Sequence, residues 1–323
     1  MTFRHLLSWK TCFYEMLLPT LRRLGPARCD AILGGLGRLS AAAWPPRRKE
    51  LAKAIDRAGT ALRADWNPKV VRPALAANTL RFAARDYPLD AAPDKEILAR
   101  FDVKGFEGLQ TALDGGRGAI VVGCHLGGHI AALHWLYRQG VPLRLLVQRP
   151  RHVSRELDRR FDRDDPHPQS EFFLRRDLSP ALAAERLLHA RAALRGGLAV
   201  YLSGDIPWNG PNTRSGQLLG STRPFLSVWA DLAVLTRVPV FLLFCTHRPG
   251  GRYALTIEPP WTLAAGEESA ALTRYLARLE AEIKAHPADA VAHLLWPCYG
   301  PPSPASASSN STARPSRRTA AVR

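Results

Sequence analysis

The residues of this chain with the clearest capacity for chemistry lie where an apolar run gives way to a helix. Gly123-Cys124-His125-Leu126-Gly127-Gly128-His129 follows the β-branched run Ala119–Val122 and precedes the helical pattern that starts near Ile130. In open α/β folds, ligands bind beyond the carboxyl ends of strands. A histidine there is placed to act as a general base. Gly127 and Gly128 permit close backbone approach and bring amides near a helix N-terminus, where developing negative charge is favoured. A histidine that only packs after a strand fits the same pattern.

A second polar segment, Gly204-Asp205-Ile206-Pro207-Trp208-Asn209-Gly210-Pro211-Asn212-Thr213-Arg214, follows the apolar run Leu198–Leu202. One reading is a cluster of Pro/Gly turns. The other is a substrate-contacting loop, with Asp205 near His125 and Arg214 available to a phosphate. A third segment is basic: Arg144, Arg149, Arg151, Arg155, Arg159, Arg160 and Arg163, continuing to Arg175 and Arg176. Asp158, Asp162, Asp164 and Asp165 are interleaved, so a salt-bridged solvated face competes with capture of an anionic ligand.

These segments need a scaffold. Short apolar runs at Ala119–Gly123, Leu143–Gln148, Leu198–Leu202, Val238–Cys245 and Tyr253–Glu258 read as strands, with helices predicted at 129–138, 179–195, 225–236 and 269–285. Alternation of this kind predicts an α/β core with a mostly parallel or mixed central sheet flanked by helices. Arg138-Gln139-Gly140 and Arg195-Gly196-Gly197 are helix stops placed before strands. Residues 1–112 read as a helical N-terminal region packing on the body and a membrane surface, broken at Pro45-Pro46, Pro68, Pro73 and Pro93. The α/β core is expected over 113–300 and a disordered basic tail over 301–323.

Composition narrows the function classes. The 323 residues carry a formal net charge of +17, with 46% hydrophobic residues, enough apolar material for a buried core. Four of those charges are arginines of the Ser/Pro/Ala-rich tail, so the body is basic too, and its first 60 residues hold eleven Lys/Arg against four acids. An anionic partner follows. Nucleic acid is disfavoured: aromatics are not interleaved with the basic clusters, and no zinc, RRM or helix-turn-helix signature occurs. Phosphate-binding G-x-x-x-x-G-K-[ST] and G-x-G-x-x-G loops are absent, and Leu202-Ser203-Gly204 lacks the first glycine of a serine-hydrolase elbow. Five widely spaced cysteines suggest neither a disulfide framework nor a thiolate metal site. A start interrupted by Arg4, His5, Lys10 and Glu15 is not a secretory signal; it reads as an amphipathic helix, packed on the body or lying in a membrane interface. Residues 118–137 lack Asp, Glu, Lys and Arg, but three histidines and four glycines make them a strand–loop–helix unit, not a membrane span.

Ile120-Val121-Val122-Gly123-Cys124-His125-Leu126-Gly127-Gly128-His129-Ile130 resembles the His-containing block of the lysophospholipid acyltransferase superfamily, and more narrowly of the lipid A biosynthesis (lauroyl/myristoyl-type) late acyltransferases. Leu146-Val147-Gln148-Arg149-Pro150 resembles that family's strand end. The segment from Leu182 to Asp205 resembles its helix, basic stop and strand leading to an Asp. Arg223-Pro224-Phe225, Arg252–Pro260 and Leu279–Pro287 resemble its later blocks, so the likeness covers most of residues 1–297. It implies an acyltransferase that moves a fatty acyl chain from an acyl-carrier-protein or CoA thioester to a hydroxyl of a lipid A-like acceptor. No cofactor or metal is implied. It further implies a peripheral or monotopic place on the cytoplasmic face of the bacterial inner membrane, an anionic membrane surface as partner, and no nucleic acid. His125 would be the base and Arg149 the phosphate contact, Gly127, Gly128 and Arg214 completing the substrate-binding set.

The chain departs from the family at one position. Five residues after the histidine the family has Glu or Asp; here it is Ile130. Three readings follow: Asp205 replaces the missing carboxylate, His129 orients or partly substitutes, or the chain binds lipid or acyl thioester without transfer.

Overall fold

The computed structural model describes residues 9–90, 92–161, 168–175, 178–210 and 212–299. The expected tail 301–323, the first eight residues of the amphipathic start, and Asp162, Arg163, Asp164, Asp165 and Arg176 of the basic run lie outside the described residues.

Six strands form the central sheet: β1 (Phe101–Lys104), β2 (Ala119–Gly123), β3 (Leu143–Leu145), β4 (Ala199–Ser203), β7 (Val240–Arg248) and β8 (Arg252–Ile257). Their order is β1-β8-β7-β2-β4-β3, parallel throughout except where β7 meets β8. The remaining pair, β5 (Thr213–Leu218) and β6 (Ser221–Leu226), is a separate antiparallel hairpin. Strand β1 lies N-terminal to residue 112, so the sheet begins before the change in sequence pattern; its four residues are too short a run to stand out among helices. The hairpin also escaped the pattern, because Thr213-Arg214-Ser215-Gly216-Gln217 carries no apolar alternation.

Every residue of β2 and β4 is buried, as strands covered on both faces require. Alternate residues serve opposite layers. Ile120, Val122, Val200 and Leu202 pack under Leu194, Trp229, Leu272 and Leu279, and reach Leu51, Ile55 and Leu75 of the N-terminal region. Ala119, Val121, Ala199 and Tyr201 face Leu109, Leu133 and Leu136.

The helices, in chain order, are α1 (Trp9–Thr11), α2 (Leu18–Arg22), α3 (Pro26–Ala43), α4 (Pro45–Ala61), α5 (Pro68–Ala84), α6 (Asp94–Leu98), α7 (Phe106–Asp114), α8 (His129–Arg138), α9 (Arg155–Phe161), α10 (Pro180–Arg195), α11 (Val228–Thr236), α12 (Glu268–Ala285) and α13 (Val291–Leu295). Pro45 and Pro68 open helices, where the missing N–H costs nothing. Pro73, read from sequence as a break, sits inside α5 near its start, with Asn67 capping the helix through Lys69 N. A Cβ at Gly37 would stand 2.3 Å from the Ala76 carbonyl oxygen, so glycine there lets α3 and α5 touch. That contact fixes α5, which brings Asn78 and Phe82 to the site. Among the described residues no helix is long and apolar enough to cross a membrane.

Candidate active site

Parallel pairing sets the central contact. The β2–β4 register places Gly123 opposite Ser203, and Gly204 N donates to Gly123 O at 3.0 Å just beyond the ladder. Two residues past each strand end, His125 meets Asp205. His125 Nδ1 lies 3.0 Å from Asp205 Oδ1, and the His125 backbone N–H donates to Asp205 Oδ2 at 2.8 Å. Asp205 is fully buried, whereas the His125 side chain keeps 21% exposure.

The carboxylate has further partners. His293 Nε2, on α13, lies 2.8 Å from Asp205 Oδ2. Tyr299 Oη donates to the Asp205 carbonyl at 2.8 Å and stands 3.2 Å from Oδ2. Burial alone would raise the Asp205 carboxyl, but charge and hydrogen bonds from His125 and His293 outweigh it and hold the group well below the usual carboxylate range. Asp205 is therefore an anion that accepts from Nδ1–H of His125, leaving Nε2 on the far side of the ring as the proton acceptor. Sequence reasoning found His125 and Asp205 but missed His293 and Tyr299, which carry no motif and lie 88 and 94 residues from Asp205.

Ile130, where the family carries its acid, is a buried core residue on α8. His129, the other candidate partner, is buried and meets His125 ring to ring, with centroids 5.2 Å apart. Burial, then the neighbouring His125 and Arg85, drive its imidazole well below the ordinary histidine value. A neutral ring cannot supply the charge that a carboxylate gives an imidazolium. Its Nδ1 is 3.4 Å from Gly127 O, and its ring packs on Phe82. Trp296 stands beside His125 at 5.3 Å between centroids and edge-on to Phe82, so aromatic surface borders the His125 ring.

The glycines have a different part from the one expected. Gly127 N donates to Asp289 O at 2.9 Å and Gly128 N to Cys245 O at 3.0 Å, so both amides are committed to holding the loop and are not offered to substrate. Gly127 adopts φ +48°, and a Cβ there would lie 2.4 Å from Cys245 O. Asp289 in turn accepts from Asn78 Nδ2 at 3.1 Å and pairs with His247 Nδ1 at 2.7 Å.

Arg214 is likewise taken: it binds Asp231 through both terminal nitrogens, at 2.7 and 3.2 Å, and Ser227 Oγ at 2.9 Å. The expected phosphate contact there gives way to a strand-to-helix tie between β5 and α11. Arg149 is better placed. It follows β3, which is two strands from β2 in the sheet order, and so leaves the sheet at the same carboxyl end of the strands as His125. It lines a groove of about 860 Å³ with Arg151, His152, Phe173 and Arg175. Its guanidinium pairs with Asp158 at 2.9 Å and lies within 6 Å of the Phe161 and Phe173 ring centroids.

Two other His–Asp pairs provide a contrast. His134 meets Asp86 at 2.9 Å while its Nε2 accepts from Arg138 Nε at 3.0 Å, and it is 1% exposed. His247, paired with Asp289, is 8% exposed. Among these pairs and the fully buried His293–Asp205 pair, His125 alone combines a buried carboxylate with an accessible ring, the arrangement of a His–carboxylate dyad.

The model of the bacterial lipid A biosynthesis acyltransferase family matches residues 1–292. The chain belongs to that family. No curated protein matches it at significant similarity. This lipid A biosynthesis acyltransferase family member is an acyltransferase, and its family works on a lipid acceptor with an acyl thioester donor. The matched stretch contains His125, Asp205, Ile130 and Arg149 and stops one residue before His293.

Proposed function

We propose that the protein moves a fatty acyl chain from an acyl-carrier-protein or CoA thioester to a hydroxyl of a lipid A-like glycolipid, with His125 as general base. His125 Nε2 takes the proton of the acceptor hydroxyl as its oxygen attacks the thioester carbonyl carbon. The C–S bond then breaks, and the thiolate leaves with the proton returned by the imidazolium. Asp205 stays ionised, keeps the Nδ1–H tautomer and balances the transient cation. The observation that carries this reading is the 3.0 Å contact between His125 Nδ1 and a fully buried Asp205, which restores from a neighbouring strand the carboxylate that Ile130 removed.

Arg149 and its basic groove are suited to a phosphorylated headgroup or an acidic carrier surface, since guanidinium binds phosphate bidentately. Peripheral attachment to the cytoplasmic face of the inner membrane is supported by Trp9 and Trp44, both more than half exposed, which line one groove in a strongly basic N-terminal region.

The test is thioester consumption with a glycolipid acceptor, comparing wild type with His125→Ala. Loss of transfer in the variant is expected. Equal rates would remove His125 as base, and a wild type that binds acyl thioester without consuming it would favour a binding-only relative.

A further inference from the structure

We propose that His293 is a positioning residue of the active site: its Nε2–H donates to Asp205 Oδ2 and so keeps Oδ1 for the imidazole of His125. The inference rests on the reading of His125 as base. Asp205 Oδ2 receives the His125 backbone N–H and His293 Nε2, each at 2.8 Å. Oδ1 is left to His125 Nδ1 at 3.0 Å. A carboxylate with one oxygen held by His125 N and His293 Nε2, and with Tyr299 Oη 3.2 Å away, cannot rotate to offer His125 a different geometry without breaking buried hydrogen bonds, each costly when left unmade.

The tautomer of His293 follows from its surroundings. The side chain is fully buried, and Nδ1 has no hydrogen-bond partner among the described residues. A proton on Nδ1 would be an orphaned buried donor, and the bare Nε2 lone pair would then face a carboxylate oxygen. A proton on Nε2 avoids both. The ring is locked in turn by Tyr299, with centroids 4.9 Å apart, whose hydroxyl also binds Asp205. His293 belongs to α13, whose neighbours Val291, Ala292 and Leu294 sit in the main core, so the donor is carried by a rigid element. It lies one residue beyond the stretch matched by the family model.

The experiment pairs two variants with one spectroscopic measurement on the unaltered protein. His293→Gln places an amide N–H at the same distance along the side chain as Nε2; His293→Leu keeps volume and removes the donor. His293→Leu should lower kcat roughly 10- to 100-fold with KM little changed, the usual cost of losing a hydrogen bond that orients a reacting group's partner. His293→Gln should keep most of the activity. A merely structural histidine would not distinguish the two by kcat at equal foldedness. Long-range 1H–15N spectra of wild type should show His293 protonated at Nε2 and bare at Nδ1, and this reading stands even if His293→Leu fails to fold. Full activity in folded His293→Leu, equal impairment in both variants, or a proton on Nδ1 would overturn the proposal. Thioester consumption by wild type answers separately for the reading beneath it.

Discussion

Asp205 faces His125 because Ser203 faces Gly123 in the parallel β2–β4 ladder, and each of the two lies two positions beyond its strand. The dyad is therefore built across strands and not along one helix turn. Asp205→Asn preserves shape but offers an amide that cannot hold the Nδ1–H tautomer. Transfer should fall roughly 10³- to 10⁴-fold, as when a triad aspartate is made neutral. Steady-state thioester consumption checks it; an effect below tenfold would mean that Asp205 only stabilises the loop.

The same relationship makes a second prediction at Ile130. This side chain is buried in the layer that contains Leu133 and Leu136. Returning an acid there, as Ile130→Asp, should not raise activity, because His125 Nδ1 already has its carboxylate. It should cost about 2 kcal/mol of lost apolar burial plus desolvation of the new group. Thermal unfolding should show a clearly lower midpoint, and a variant more active than wild type would contradict the cross-strand dyad.

Much of this could be read in the sequence. The bounds of β2 and α8 are those the apolar run and the helical pattern predict, and the strand–His–Gly–helix order singles out His125, which the structure brings to Asp205. Local patterns carry such information because they repeat at the period of the element. What supports Asp205 does not repeat. His293 and Tyr299 arrive from the C-terminal segment through tertiary packing alone, and nothing in their immediate sequence marks them. The partner of Arg214 was not legible for the related reason that Asp231 sits 17 residues away on a helix whose approach depends on the β5–β6 hairpin.

His129 should make the fold sensitive to mild acid. Its folded-state value is depressed by burial, so between the ordinary histidine value near 6.5 and that lower value the unfolded chain binds a proton the folded one refuses. Stability is then full above about pH 6.5 and declines as pH falls, by up to about 1.4 kcal/mol per unit for this single group. In His129→Asn the drop in melting temperature between pH 7.5 and 5 should be smaller than in wild type. Identical drops would mean that His129 protonates freely in the fold.

Gly127 ties the His125 loop to the rest of the core. Gly127→Ala would combine a φ of +48° with a Cβ driven 2.4 Å from Cys245 O and 3.0 Å from Asp289 Oδ1. The strain should cost about 1–3 kcal/mol and displace the loop that carries His125. Both the melting temperature and kcat should fall. Loss of activity without loss of stability would instead point to a direct contact between this residue and substrate.

The N-terminal surface yields a prediction in which two forces separate. Trp9 is 60% and Trp44 65% exposed, and they share a groove of about 480 Å³ with Arg47 and Leu80. Aromatic rings suit the interface of a bilayer, and the eleven basic residues among the first 60 suit an anionic one. If charge steers and the tryptophans anchor, binding to vesicles containing anionic lipid should weaken steeply as salt rises past about 0.1 M, where screening shortens to roughly 10 Å. Trp9→Ala/Trp44→Ala should lower binding at every salt concentration while leaving the salt slope unchanged. Co-sedimentation across a salt series separates the two contributions. Binding that ignores salt and is lost with the tryptophans would assign the attachment to insertion alone, and the basic surface would then serve the phosphorylated acceptor or the acyl carrier instead of the membrane.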